Sequence, residues 1–256
     1  MVNLNTNLFG QASSSSNIPE RTGDIRKIHI KDKLLSLGFE ISDFTLGDFD
    51  YIGEFTAKKQ RSPDSDLYKE VGAFFRPNYE RGLLISALIK KYDVKSYLEI
   101  GYGRGYSCFC ASKTMFDLGR GTVTTVDPNL NKEQVESLAS VFPTDWLELV
   151  SFYKETSDNF FQQVKDNYDM IYIDGDHRYD QVKRDWENSE IRANKVVLFD
   201  DYHLPGKNQK DIEVSSLIDS IDNDSKELII QDRRIFLDDR GYKDEEIDYG
   251  QVLIIK

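Results

Sequence analysis

The segment from Ser96 to Gly105, SYLEIGYGRG, constrains the fold of this chain more than any other. An apolar run with strand character ends in glycines at 101, 103 and 105, and a carboxylate, Glu99, stands two residues before the first of them. Glycines so spaced allow a sharp turn and let a ligand approach bare main chain. The helix expected after Gly105 presents its unpaired N–H groups to whatever lies over that turn. In the dinucleotide fingerprint G-x-G-x-x-G the third position is small, so that helix and strand pack closely. Here that position is Tyr106, and the third glycine comes one residue early. A carboxylate at this place suits a cationic ligand and would repel a pyrophosphate.

Beyond the turn the chain alternates regularly. Strand-like runs fall at Tyr97–Ile100, Thr122–Val126, Leu147–Phe152, Met170–Asp174 and Lys195–Asp200, with helix-like segments after Gly105, Asn131, Thr156, Arg178 and Asp211. Such alternation predicts a Rossmann-like, doubly wound α/β fold with a mostly parallel sheet. Two late β-rich runs, near Glu227–Asp232 and at Gln251–Ile255, are expected to complete the sheet, one of them antiparallel. Tyr79–Lys91 reads as an amphipathic helix. Residues 1–24, polar and serine-rich, are expected to form a tail, 25–78 a cap or lid of short helices and loops, and 79–256 the ligand-binding domain. Ligands of such sheets sit beyond the C-terminal strand ends, so the chemistry is sought there.

The second strand ends in Asp127, placed to grip a ribose diol; a turn aspartate is the competing explanation. Past the third strand, Thr156 and Ser157 either lie near a bound base or cap the next helix. The fourth ends in IDGDHRY (173–179) and the fifth in LFDDYH (198–203). Together they bring Asp174, Asp176, Asp200 and Asp201 to one rim, with His177 and His203 beside them. Four gathered carboxylates raise one another's pKa unless a cation neutralises them, and hard oxygen ligands suit magnesium, calcium or manganese. His177 is either a base or a hydrogen-bonding neighbour. Tyr102 either touches the ligand or shields the sheet edge.

The pattern E-x-G-x-G-x-G at 99–105 resembles motif I of the class I S-adenosylmethionine-dependent methyltransferases. The I-D-G-D-H-x-Y and F-D-D-Y runs resemble those of the macrolide and aminocoumarin sugar O-methyltransferases and the catechol O-methyltransferase-like enzymes, over about residues 79–203. The resemblance implies S-adenosyl-L-methionine held by Glu99, Gly101, Tyr102, Gly103, Gly105, Asp127, Thr156, Ser157 and Asp174. It also implies a divalent cation, magnesium first, on Asp174, Asp200 and Asp201, with Asp176 as general base and His177 ranked after it. Where these families have a Gly-Gly turn before the fifth strand, this chain has Arg192-Ala-Asn-Lys195.

The expected activity is methyl transfer to a hydroxyl of a small molecule, a sugar being the favoured class. The alternatives are a metal-independent methyltransferase, a Rossmann-like oxidoreductase, which Tyr106 disfavours, and a non-catalytic binding module. A net charge of −12 argues against a nucleic-acid partner. No run is long and apolar enough to span a bilayer, and Cys108 and Cys110 cannot build a disulfide framework. A cytoplasmic setting without a membrane partner is expected, and self-association into a homo-oligomer is left open.

Overall fold

The computed structural model describes residues 18–19, 22–39, 79–103, 105–131, 133, 135–136, 143–203, 212–230 and 249–256. Most of the expected tail, and of the cap from residue 40 to 78, lies outside these residues. Eight strands form one sheet: β1 Arg26–His29, β2 Ser96–Ile100, β3 Thr122–Val126, β4 Val150–Tyr153, β5 Tyr168–Ile173, β6 Ala193–His203, β7 Glu227–Ile230 and β8 Tyr249–Ile255. Their order across the sheet is β1-β7-β8-β6-β5-β2-β3-β4. Only β8 runs antiparallel to its neighbours, β6 and β7. The described helices are α1 Ile30–Ser36, α2 Tyr79–Lys91, α3 Tyr106–Asp117, α4 Thr144–Leu147, α5 Ser157–Gln163, α6 Tyr179–Arg192 and α7 Ile212–Ser220.

Side chains alternate across the sheet, as period-two strands require. Tyr97, Met170, Tyr172, Val196 and Leu198 join Leu84, Leu88, Phe109 and Met115 in one core layer. Leu98, Ile171, Ile173, Val197 and Phe199 join Phe160, Val182, Trp186 and Leu217 in the other. The sheet is therefore covered on both faces, and its central strands can be apolar on both sides.

The expected Rossmann-like architecture with one antiparallel C-terminal strand is the one observed, with local differences. The start of the expected strand at Leu147 is instead the end of α4, and β4 begins at Val150. Within the expected cap, residues 26–29 add a strand to the sheet and residues 30–36 form a helix beside it. Arg26–His29 pairs in parallel with Glu227–Ile230 along the sheet edge. That strand has one apolar residue in four and depends on its partner for its conformation. It is followed by α1, whose Ile30 and Leu34 are fully buried.

Lys33 anchors this corner by pairing with Glu227, and both side chains are largely buried. Arg26 approaches Glu227 from the solvent side, with Nε 3.3 Å from Oε1. Removing one partner of a buried pair leaves the other charge uncompensated. Lys33→Ala is expected to lower stability by about 2 kcal/mol, the exposed Arg26 offsetting part of the loss. The measurement is the urea midpoint; an unchanged midpoint would show that Arg26 alone neutralises Glu227.

Candidate active site

β2 pairs with β3 on one side and β5 on the other. The chain winds outward from β2 to β4 and then returns to β5, which places the topological switch point between β2 and β5, where such sheets bind ligands. The glycine turn and the Asp174 loop meet at that point. Gly101 has φ +93°, and a Cβ there would lie 2.0 Å from the main-chain oxygen of Asp174. The turn and the acidic rim are packed backbone to backbone, which only glycine permits. Gly103, at φ +50°, faces open space, with nothing within 4 Å of where a Cβ would stand. Its amide donates to Asp127 Oδ2 at 3.0 Å. The tip of β3 is thereby tied to the turn.

Glu99 lies beneath this turn, 0% exposed. Ser107, in the first turn of α3, donates to one carboxylate oxygen, and Thr125 of β3 donates to the other at 3.1 Å. Burial pushes the carboxyl up to about 8, against the pull of these two hydroxyls and of Arg81. Glu99 is thus a buried acid that ties β2 to α3 and β3 through these two hydroxyls.

Other expected cofactor residues are placed differently. Tyr102 is 2% exposed and packs edge-on against Phe152, with ring centroids 5.7 Å apart. A Cβ on Gly105 would collide with the Tyr102 ring. Of the two roles open to Tyr102, the structure shows packing. Thr156 caps α5, its side chain accepting from Asn159 N. Ser157 is buried and donates to Asp185 Oδ1 at 2.6 Å, an oxygen that Gln181 also reaches, at 3.1 Å. Burial raises the Asp185 carboxyl to about 6. These side chains join α5 to α6 below the site.

At the rim, Asp174 and Asp201 come together with His177: one ligand atom from each lies within 4.8 Å of the others. His177 Nε2 is 2.9 Å from Asp201 Oδ2. Asp201 reaches this position because the β6–β8 ladder is irregular between Phe199 and Tyr202, with Asp201 at φ +58°. A bulge of this kind re-aims a side chain beside a site, and aspartate tolerates the left-handed conformation better than most residues.

Asp200 does not join the group. It is 2% exposed, accepts from Gln251 Nε2 at 2.9 Å, and pairs with Arg81. Arg81 also reaches Asp174, Nη1 to Oδ2, at 2.9 Å. Even so, burial together with Asp200 and Asp201 holds the Asp174 carboxyl well above the usual range, Arg81 opposing. Among the described residues, the group whose ligand atoms lie close enough to share an ion is therefore Asp174, His177 and Asp201, and of the three aspartates expected to do so Asp200 stands apart.

Asp176 is exposed and turned toward Arg178, whose Nε lies 2.8 Å from Oδ2. Hydrogen bonds from Arg178 hold its carboxyl below the usual range. His203 is buried, and its main-chain N–H donates to Ser215 Oγ at 2.9 Å. The absent Gly-Gly turn is explained by direct passage from α6, ending at Arg192, to β6, starting at Ala193. The Arg192 guanidinium lies 5.1 Å from the centre of the Phe161 ring.

Two residues that support the site carried no local signal. Arg81 lies in α2, far in sequence from both acids that it pairs. Gly82, next to it, makes room for the bulky Tyr106: a Cβ there would stand 2.7 Å from the Tyr106 hydroxyl and 2.8 Å from Cys110 Sγ.

Comparison with known proteins bears on the fold and on the central part of the sequence. Residues 98–202 match the family model of a methyltransferase domain. No curated protein sequence matches. Among solved structures, the O-methyltransferase TomG from Streptomyces achromogenes, involved in tomaymycin synthesis and in complex with SAM, is 13% identical, with a TM-score of 0.53 over 89% of this chain and 96% of that one. An O-methyltransferase from Bacillus cereus in complex with SAH is 14% identical, with a TM-score of 0.51 over 80% and 100%. Cofactor-bound Rv0187 from MTB is 12% identical, with a TM-score of 0.53 over 84% and 98%. At such identities the likeness of structure speaks for the fold, while the family match rests on the sequence of residues 98–202. Residues 98–202 thus match a methyltransferase domain, and the chain has the Rossmann-like fold of these solved structures.

Proposed function

We propose that the chain transfers the methyl group of S-adenosylmethionine to a hydroxyl of a small molecule, sugars being the first class to test. The observation that carries this reading is the contact between Gly101 and Asp174. It supports a donor site over the glycine turn, since the turn packs directly against the acidic rim where the acceptor is proposed to bind. Glu99, kept protonated by burial, becomes a carboxylate under the turn when the cationic donor binds, and Asp127 is the residue offered to the ribose diol. Enclosure of donor and acceptor at adjoining strand tips aligns the oxygen with the methyl–sulfur axis.

The donor set of Asp174, His177 and Asp201 fits a divalent cation. Two carboxylate oxygens and an imidazole nitrogen suit manganese and the later first-row ions better than magnesium. Such an ion supplies positive charge that lowers the pKa of a bound hydroxyl. Asp176 sits on the same loop and is held ionised by Arg178. It takes the acceptor proton once it exchanges that partner for the substrate.

A second reading is favoured by the 2.9 Å contact between His177 and Asp201. In it the pair acts without a metal, the carboxylate orienting the imidazole that removes the proton.

Titration calorimetry with S-adenosylmethionine tests the first step, and a folded protein that gives no heat in buffers of differing ionisation enthalpy sinks the proposal. Methyl transfer to sugar and catechol panels, with and without EDTA, then separates the readings. The expected result is turnover lost on chelation and restored by manganese; turnover indifferent to EDTA selects the His177–Asp201 base.

A further inference from the structure

We propose that Arg81 is a built-in counter-ion that decides which strand-tip acids can hold a cation, committing Asp200 to the protein and leaving coordination to Asp174, His177 and Asp201. Arg81 stands in the first turn of α2, and its guanidinium lies 5.8 Å from the centre of the Tyr172 ring. From there one nitrogen reaches Asp174 Oδ2 at 2.9 Å and another pairs with Asp200 Oδ2. The Arg81 and Asp200 side chains are 17% and 1% exposed. Gln251, from the antiparallel strand β8, donates to the other oxygen of Asp200.

Asp200 cannot take an ion without leaving the largely buried guanidinium to Asp174 alone, the acid that the same ion would share. Nor can the arginine yield by losing its proton, since its pKa lies too high. Asp200 and Asp201, adjacent in sequence, are thus sorted into different tasks. The left-handed backbone at Asp201 turns its carboxylate to His177, while Asp200 is retained by α2 and β8. Imidazole then replaces the third carboxylate in the donor set, which moves metal preference from magnesium toward manganese and the later divalent ions. Because Arg81 shares Asp174, it also competes with the ion for that oxygen.

This inference rests on the reading of the rim as a cation site, but its test needs no methyl acceptor. The probe is Mn2+ added to the full chain, with free ion read by electron paramagnetic resonance and folding checked by circular dichroism. His177→Gln is expected to weaken Mn2+ binding by about tenfold or more, and Asp200→Asn to stay within about twofold of the wild type. Arg81→Gln, which releases two carboxylates, is expected to tighten binding by about tenfold.

The proposal is overturned if Asp200→Asn weakens binding as much as His177→Gln does, if Arg81→Gln brings no gain, or if the wild type does not bind Mn2+. Should both buried-site variants fail to fold, His177→Gln decides alone, and unchanged affinity in it overturns the proposal. Donor binding is measured separately. The expected Mn2+ pattern without S-adenosylmethionine binding would uphold Arg81 and reject the methyl-transfer reading; the converse would do the opposite.

Discussion

Gly101→Ala and Gly103→Ala, two substitutions of the same chemistry two residues apart, are expected to fail in different ways. At Gly101 the new Cβ would lie 2.0 Å from the main-chain oxygen of Asp174, on a backbone at φ +93°. The obstacle is main chain, and the same junction carries the hydrogen bond from Asp174 N to Ile100 O at 2.9 Å. No rotamer change relieves it. The expected loss is about 4 kcal/mol or more, from backbone strain plus overlap. For a chain of this size that is a fall in Tm of about 10 °C. At Gly103 the Cβ meets nothing within 4 Å, and φ +50° lies in the left-handed region that other residues enter at modest cost. Stability should fall by only about 1 kcal/mol. The methyl group would instead project into the open space over the turn, so S-adenosylmethionine affinity should fall by about tenfold or more with the fold intact. Thermal melts and donor titrations of both variants read the two effects separately. Wild-type donor affinity in Gly103→Ala would show that the open space over the turn is not the donor crevice.

The contrast also marks how far the site was legible in the sequence. Three glycines after an apolar run signal a turn whatever the rest of the chain does, because the requirement for missing side chains is local. Strand tips at Asp127 and Asp174 were legible for a similar reason: a buried parallel strand writes its own end as a change from apolar to polar residues, whereas β6 runs on past Asp200 to His203. Pairings between distant elements were not. The choice between Asp200 and Asp201 as site residue depends on Arg81 in α2, on Gln251 in β8 and on a bulge in β6, none of which leaves a mark near residue 200. The same holds for β1. The run Arg-Lys-Ile-His has no apolar alternation, and its conformation comes from β7, about two hundred residues later. Thr156 shows the intermediate case. Its capping role could be written from spacing alone, yet spacing could not exclude a ligand contact, since both use a threonine at a helix start.

Glu99 makes the stability of this protein depend on pH. Its carboxyl is fully buried and is raised to about 8 by that burial, with Asp127 adding to the rise and Ser107, Thr125 and Arg81 opposing it. In the unfolded chain the same group titrates near 4.5. Between those values the folded state binds a proton that the unfolded state has released. The stability contributed by this group is therefore complete below pH 4.5 and is lost as pH rises through about 8. At about 1.4 kcal/mol for each pH unit, the loss across the window is of the order of 5 kcal/mol. Glu99→Gln keeps the shape and the hydrogen-bonding capacity of the neutral carboxyl without its titration. Urea unfolding at pH 5 and pH 9 should show a steep decline in the wild type and a much flatter one in the variant, which becomes the more stable of the two at pH 9. Parallel declines would remove Glu99 as the source. The cationic donor should reverse the balance at this position, because a positive charge over the turn favours the ionised carboxylate. Binding of S-adenosylmethionine at neutral pH is thus expected to expel a proton from the wild type and none from Glu99→Gln. Calorimetry in buffers of different ionisation enthalpy measures that proton directly. Equal proton release by both proteins would place the cation out of electrical reach of Glu99, and the acid under the turn would then be a folding element alone.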